Sequence, residues 1–301
     1  MLGARARQHD LPPPLWLPRR VDKYLRECTS GALSWLRAAC ADGQVTLVDP
    51  VGLRSVVAAD ALVFEGDTVS LDNQVLSERR GYDYLAFHKP LGTVSTVCDP
   101  DGQPDLSEWQ QQMPAGIFPV GRLDRMTSGL LLWSNDGDFA NAILHPSHHV
   151  EKRYWLRLDQ CLEPSDARLR AFVDGVVVEG YSEPLRATQV IVERSSAFHT
   201  ELVVCLREGK HRQIRKMCQA LRLRLVALHR RAIGSVQIAG LNAGQWRPLS
   251  ADEIEGLWAH AGGRGLVFER QLQALRERAR RDRDAQKPNL RLEQWLVGRD
   301  G

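Results

Sequence analysis

The chain has 301 residues and a mass of 33.9 kDa, enough for roughly two domains of about 100–200 residues each. Its 43% hydrophobic and 26% charged residues are ordinary for a globular protein. No run approaches the ~18 apolar residues of a membrane span, and the first twenty residues lack the apolar core of a secretory signal. A flexible leader over 1–18 is expected, with a transit peptide as the alternative. The net charge of +3 hides an asymmetry: +4 over residues 1–37, −11 over 38–206, +8 over 207–231 and +2 over 232–301. A +8 stretch beside a −11 stretch points to a polyanion partner, and a solvated charged face is the plain alternative. Of the 40 basic residues 34 are Arg, which fits forked phosphate recognition and codon bias equally well.

From Val21 the spacing predicts a helix, with Val21, Tyr24, Leu25 and Cys28 at i, i+3, i+4, i+7. A second apolar stripe, Leu33, Leu36 and Cys40, runs to Gly43. Short strand-like runs follow at 45–48, 56–57, 62–64 and 69–71, completing a small helix-rich domain over 19–76. Arg19, Arg20, Lys23, Arg26 and Arg37 decorate its helices. Residues 77–82 read as a linker. A second domain over 82–262 carries strand-like runs at 84–87, 117–120, 130–133, 153–158, 172–178, 187–192, 201–206 and 225–228. Helical stretches fall near 138–144, 164–171 and 211–221. This irregular alternation predicts an α+β fold with a mainly antiparallel mixed sheet. Residues 263–301 read as a charged C-terminal tail, partly helical, with 268–284 expected as a solvated helix.

The six cysteines, Cys28, Cys40, Cys98, Cys161, Cys205 and Cys218, contain no CxxC pair and read as free thiols in a reducing compartment. His145, His148 and His149 have no carboxylate or Cys at a matching ligand spacing, so no metal is expected. Neither a GxGxxG after a strand nor a GxxxxGK[ST] is present, so no nucleotide cofactor is expected.

Three segments carry candidate chemistry. In FPVGRLDRMTSGLLLWSNDG (118–137), a tight loop between two strand-like runs presents Asp124 between Arg122 and Arg125. A carboxylate near cations stays ionised at neutral pH and can act as nucleophile or base; a turn-capping Asp is the plainer reading of this stretch taken alone. In HPSHHVEKRY (145–154), Tyr154 offers a ring to stack on a base and a hydroxyl to hydrogen-bond, or a core aromatic. In REGKHRQIRKMC (207–218), a helix starting near Lys210 would align Ile214, Met217, Cys218 and Leu221 as its apolar stripe, leaving Lys210, Arg212, Arg215 and Lys216 for phosphates.

Taken together and in this order, GRLDRMTSGLLLWSNDG, HPSHHVEKRYWLRL, EGKHRQIRKM and LHRRAIGSVQIAGLNAGQWRPLSADEIEGL resemble the RsuA-type ribosomal RNA pseudouridine synthases over roughly residues 82–258. The first unit resembles the S-four-type RNA-binding domain that precedes the catalytic domain in many members, although the basic start usual for its second helix reads Ala32-Leu33-Ser34. The resemblance implies isomerisation of a specific uridine to pseudouridine in ribosomal RNA without a cofactor; a cytoplasmic location and a monomer are the default expectations. It implies Asp124 as the essential carboxylate, with attack on the anomeric carbon, attack on uracil and action as a base all open. Tyr154 would stack on the uracil and move a proton. Arg215 would pair with the carboxylate, and breaking a buried pair of that kind typically costs about 3–5 kcal/mol. Arg122 would fill the space of the extruded base, and Leu228 would contribute an apolar contact beneath it. Lys210, Arg212 and Lys216, with Arg19, Arg20 and Lys23, would contact RNA. The basic tail after 264 leans toward 23S-type large-subunit RNA. Two rivals stand beside this reading. A non-catalytic RNA-binding or ribosome-assembly factor on the same scaffold has little need of the Asp, and a Cys- or Ser-based hydrolase lacks a GxSxG elbow.

Overall fold

The computed structural model describes residues 17–29, 33–77, 81–114 and 116–298. The expected leader lies outside the described residues over 1–16, as do 78–80 of the expected linker and Ala32. The chain divides into two compact units, one formed by 1–82 together with 262–301, the other by 83–261.

The first unit begins with β1 (Arg19–Arg20), α1 (Val21–Cys28) and α2 (Leu33–Ala41). It continues through β2 (Val45–Val48), β3 (Arg54–Val56), β4 (Leu62–Val63), β5 (Thr68–Leu71) and β6 (Gln74–Val75). The apolar stripes read from the sequence are what the unit buries: Val21, Tyr24 and Leu25 of α1 meet Leu36 and Cys40 of α2 over Val45, Leu47 and Val69. The four-stranded sheet has the order β3-β2-β5-β6, all antiparallel, and β1 pairs separately with β4.

The second unit contains β7 (Tyr84–Lys89), α3 (Ser107–Gln110), β8 (Phe118–Val120), β9 (Ser128–Ser134), α4 (Gly137–Leu144), β10 (Lys152–Leu158) and α5 (Ala167–Asp174). It goes on through β11 (Gln189–Ser195), β12 (Thr200–Leu206), α6 (Gln213–Ala220), β13 (Leu225–Ile233), β14 (Val236–Gln237), β15 (Trp246–Pro248) and α7 (Ala251–His260). Its sheet runs β11-β12-β10-β13-β9-β7-β15, with β8 added on β9 and β14 on β13. The α+β class with a mainly antiparallel mixed sheet is what the structure has. The exception to antiparallel pairing in this sheet is β9 beside β13, held in register only at Ser128–His229 and Gly129–Arg230. One core lies where Leu156, Leu202, Val204 and Phe172 meet Ile214 and Met217 of α6. Another gathers Leu85, Phe87, Ile117, Leu131 and Trp133 around the other half of the sheet.

Two expectations change. Residues 172–178 do not form a strand. Asp166 caps α5 by accepting from the Arg168 amide, and Leu169 and Phe172, three apart, are buried on one helical face, so the helix runs on to Asp174. Only Val176 pairs, in a single bridge to Leu185. The C-terminal segment forms α8 (Gly263–Asp284) and α9 (Leu290–Val297), which belong to the first unit instead of standing as a solvated tail. Leu275 and Ala279, four residues apart on α8, join Leu292 and Trp295 of α9 against Leu62 and Phe64. Arg291 holds the buried Asp67 carboxylate at 2.6 Å and lies 4.4 Å from the Phe64 ring centroid.

The short parallel junction depends on Gly129. Its φ is +111°, and a Cβ there would lie 2.3 Å from the Arg230 carbonyl oxygen and 2.5 Å from its amide nitrogen, both rigid backbone. Gly129→Ala is expected to lower unfolding free energy by about 2–4 kcal/mol, read by chemical denaturation; a denaturation midpoint equal to that of the natural chain contradicts this account of the junction.

Candidate active site

Asp124 sits in a loop that leaves β8 at Val120 and enters β9 at Ser128. Both flanks of the loop are pinned. Leu123 is buried, its amide donates to Ser95 Oγ at 3.0 Å, and the Ser95 hydroxyl returns a bond to the Leu123 carbonyl at 2.7 Å. The Thr127 amide donates to the Asp124 carbonyl at 2.9 Å and closes a turn, and the Gly92 amide donates to the Arg125 carbonyl at 2.9 Å. The carboxylate thus rests on a backbone whose polar groups are satisfied by its neighbours, as a reactive side chain needs.

Arg215, 91 positions later on α6, reaches this loop. Its Nε lies 3.4 Å from Asp124 Oδ2. Its Nη2 donates to the Met126 carbonyl, and to Thr127 Oγ1 at 3.2 Å. The Nε makes no aligned hydrogen bond among the described residues, so its contact with Asp124 is an ion pair and the hydrogen bonds go to the loop. The two side chains keep 20% and 26% of their exposure. Solvent screening at that exposure brings the pair well below the strength of a fully buried one, which corrects the buried pair expected from sequence. Ile214, Met217 and Cys218 anchor α6 in the core, and burial pushes the Cys218 thiol up to about 12, which leaves it inert as a nucleophile. The helix begins at Gln213, later than the expected start, because Arg212 adopts a left-handed φ of 54°. Lys210 and Arg212 therefore lie before the helix.

Sequence reasoning missed two buried cations beside this pair. Lys89, at the end of β7, is fully buried and donates to the Pro90 and Thr127 carbonyls at 2.8 and 2.9 Å. Burial brings its ammonium down to about 8; Asp124 opposes that shift and Arg230 adds to it. Arg230, on β13, is 4% exposed. Its Nε donates to the Leu130 carbonyl at 2.7 Å and its Nη1 to the Tyr154 hydroxyl at 3.4 Å. Lys152, on β10 two positions before Tyr154, donates to the Val150 carbonyl at 3.0 Å and is likewise brought down to about 8, by burial and then by Arg230. A lysine closing a strand and the first of two adjacent arginines give no sequence signal of burial; only the strand register places them inside.

A cleft of about 570 Å³ opens where β13 and the Asp124 loop part. Met126, Ser128, Arg215, Leu228 and His229 are among the residues that line it. Leu228 also packs into the core. Asp124 and Tyr154 lie outside that lining; Asp124 is joined to it through Arg215, and Tyr154 packs on the core cluster while its neighbour Trp155 lines the cleft. Ser128 Oγ lies 2.9 Å from His229 Nδ1, but the His229 ring has His88 beside it, 5.1 Å between centroids, in place of an orienting carboxylate. Burial, then His88 and Arg231, brings His229 down to about 4.

The remaining sequence candidates are dispersed. Arg122 is exposed on the loop. Lys216 donates to the Tyr181 hydroxyl at 3.1 Å and lies 4.6 Å from that ring's centroid, and Lys210 pairs with Glu208 at 3.1 Å. In the first unit Arg19 pairs with Glu27, and Arg20 makes a forked contact to the buried Asp22 at 3.0 and 2.9 Å. Lys23 is exposed. His145 and His148 lie ring beside ring, engaged by Ser147 and the Ala142 carbonyl, and no group of three or more His, Cys, Asp or Glu among the described residues is placed to hold a metal ion.

The depressed Lys89 ammonium has a consequence for stability. Its folded value of about 8 lies below its ordinary 10.5, so between those values the unfolded chain binds more protons and unfolding free energy rises with pH. Denaturant titrations at about pH 7.5 and pH 10 are expected to show that Lys89→Met has a smaller rise than the natural chain; an identical rise contradicts the burial of this charge.

A model of the RNA pseudouridylate synthase family matches residues 83–220. Ribosomal large subunit pseudouridine synthase B of Bacillus subtilis (strain 168) is 31% identical over 191 residues, covering 63% of this chain and 77% of the relative. Ribosomal small subunit pseudouridine synthase A of Haemophilus influenzae is 27% identical over 239 residues, covering 79% of this chain and 99% of the relative. A crystal structure of a pseudouridylate synthase superposes with a TM-score of 0.55 at 27% identity, covering 79% of this chain and 99% of that one. With its catalytic-domain sheet, its ordered motifs and these relatives, the chain belongs to the RNA pseudouridylate synthase family, as a member of the RsuA type, and is an isomerase.

Proposed function

We propose that the protein converts one specific uridine of ribosomal RNA to pseudouridine, with Asp124 as the essential carboxylate. The observation that carries this reading is the ion pair between Asp124 and Arg215, two residues 91 positions apart brought to 3.4 Å beside the cleft. The reaction breaks the N1–C1′ bond, forms a C5–C1′ bond, removes the proton from C5 and returns one to N1. No electrons or groups are exchanged with a second reactant, so a carboxylate, a proton-handling group and a water-poor pocket suffice. Asp124 supplies the carboxylate, whether it attacks the sugar or the base or acts first as a base at the sugar. Tyr154 stacks on the uracil and moves the proton. Arg215 holds the carboxylate in place, Arg122 fills the gap left by the extruded nucleotide, and Leu228 supports the base from below. Flipping a nucleotide costs roughly a few kcal/mol, least in a loop, and these contacts offset it.

Lys210, Arg212 and Lys216 contribute phosphate contacts on the +8 stretch. The pairing of Lys210 with Glu208 and of Lys216 with Tyr181 supports a smaller phosphate-binding surface than the raw charge gives. The first unit acts as an S-four-type RNA-binding domain. Lys23 is its exposed contact, and Arg19 and Arg20 exchange their carboxylate partners for phosphate when RNA binds. Large-subunit RNA is the favoured substrate, in line with the Bacillus relative, and the protein works as a cytoplasmic monomer. No helix among the described residues is long and apolar enough to cross a membrane.

Pseudouridine mapping of total RNA from a strain lacking this protein tests the reading. One uridine of large-subunit RNA is expected to lose its modification and to regain it with the natural chain but not with Asp124→Asn. A ribosomal RNA modification pattern unchanged by the deletion, or full restoration by Asp124→Asn, contradicts it.

A further inference from the structure

Arg230 is the least explained charge in the second unit. It is 4% exposed, and no carboxylate pairs with it among the described residues. Its Nε is spent on the Leu130 carbonyl at 2.7 Å. Its Nη2 is buried and has no hydrogen-bond partner among the described residues. An uncompensated buried guanidinium is costly, and a sequence that needed only a filled position would place an apolar side chain there. The Nη1 does have a partner: it donates to the Tyr154 hydroxyl at 3.4 Å, and the guanidinium carbon lies 5.9 Å from the Tyr154 ring centroid. Tyr154 and Arg230 are register partners on adjacent strands, and Arg230 also sits on the parallel junction opposite Gly129 at the start of β9. One residue therefore touches both the strand that carries Tyr154 and the strand that continues the Asp124 loop. Arg230 and Asp124 further act in opposite senses on the same buried ammonium, that of Lys89, which places them in one electrostatic neighbourhood.

We propose that Arg230 is a positioning residue for the isomerisation: by donating to the Tyr154 oxygen from a fixed point on the sheet, it occupies one acceptor site of the hydroxyl and directs the hydroxyl's own proton to the substrate. A phenol has one proton to give and two lone pairs to receive. With a lone pair held by a cation anchored on β13 and on the Leu130 carbonyl, the O–H rotor loses its freedom and the ring its lateral play. The inference rests on the assignment of proton handling to Tyr154 made above. It explains why a charge without a counter-ion is kept at the centre of the sheet.

The test is a double-mutant cycle on the purified full-length chain, with single-turnover isomerisation and RNA affinity measured on unmodified ribosomal RNA transcripts. Arg230→Lys keeps the buried charge but loses the rigid planar fork whose Nε and Nη1 meet the Leu130 carbonyl and the Tyr154 oxygen separately. It is expected to slow the isomerisation step about 10-fold while leaving RNA affinity unchanged, and to cause no further slowing in a Tyr154→Phe background. Arg230→Gln, used where its thermal melt shows a folded chain, is expected to slow the step more and to be equally silent in the Tyr154→Phe background. Equal fold-losses in the two backgrounds, or a natural rate for Arg230→Lys, overturn the proposal. If Tyr154→Phe alone isomerises at the natural rate, the hydroxyl's role falls and this inference with it. If Tyr154→Phe is impaired but the losses multiply, only the role of Arg230 falls.

Discussion

The second unit buries two cations, Lys89 and Arg230, and sets a third, Arg215, against the carboxylate of Asp124, which also acts on Lys89. Lys89 is fully enclosed, Arg230 nearly so, and Arg215 reaches the same loop from α6. Each of these cations is held chiefly by main-chain carbonyls: Pro90 and Thr127 for Lys89, Leu130 for Arg230, Met126 for Arg215. Carbonyls orient a cation but do not neutralise it. Asp124 pairs with Arg215 at 3.4 Å and acts on the Lys89 ammonium, on a loop held by its own backbone bonds, while Arg230 has no carboxylate partner among the described residues. A buried field of cations lowers the cost of gathering further negative charge beside it.

The fold supplies the geometry through one irregular feature. An antiparallel sheet has been joined across a parallel contact only two residue pairs long, between β9 and β13. The contact falls at the very start of β9, and on the side before it lies a cleft walled by the first half of β13 and the Asp124 loop. Gly129 permits the close approach, since no side chain could stand between it and Arg230. The same crossing point thus borders the cleft, ties the Asp124 loop to the strand next to Tyr154, and buries the cation that links them.

Much of this was legible in the sequence, for physical reasons that can be named. Loop residues that present chemistry keep characteristic neighbours, so GRLDRMTSG, the Tyr154 segment and the Arg215 helix could be read in order, and the structure brings Asp124 and Arg215 together. The apolar stripes of α1 and α2 follow helical spacing and are buried accordingly. Other features could not be read because they depend on tertiary register. Arg230 and Arg231 are adjacent and chemically identical, yet the alternation of β13 buries the first, while the second donates from its Nη1 to both Glu193 carboxylate oxygens at 2.7 and 2.8 Å. Lys89 follows the strand-like run at 84–87, and nothing in the neighbouring residues marks it as buried. Phe172 looked like the start of a strand because a short apolar run has no period of its own, and the helix cap that decides it, Asp166, lies six positions upstream. In α8 the small apolar face of Leu275 and Ala279 was masked by the surrounding arginines.

The charge of the chain gains a different meaning from this arrangement. Of the nine cations between 207 and 231, Arg215 is paired with Asp124, Arg230 is buried in the sheet and Arg231 is paired with Glu193, so a polyanion would meet fewer than the sum. The most direct measurement of the central claim separates RNA affinity from turnover at the carboxylate. Purified natural chain and Asp124→Asn are each titrated with unmodified ribosomal RNA, and pseudouridine is quantified in the bound RNA. The account predicts that both bind with closely similar affinity and that only the natural chain forms pseudouridine. Pseudouridine formed by Asp124→Asn at the natural rate would contradict it.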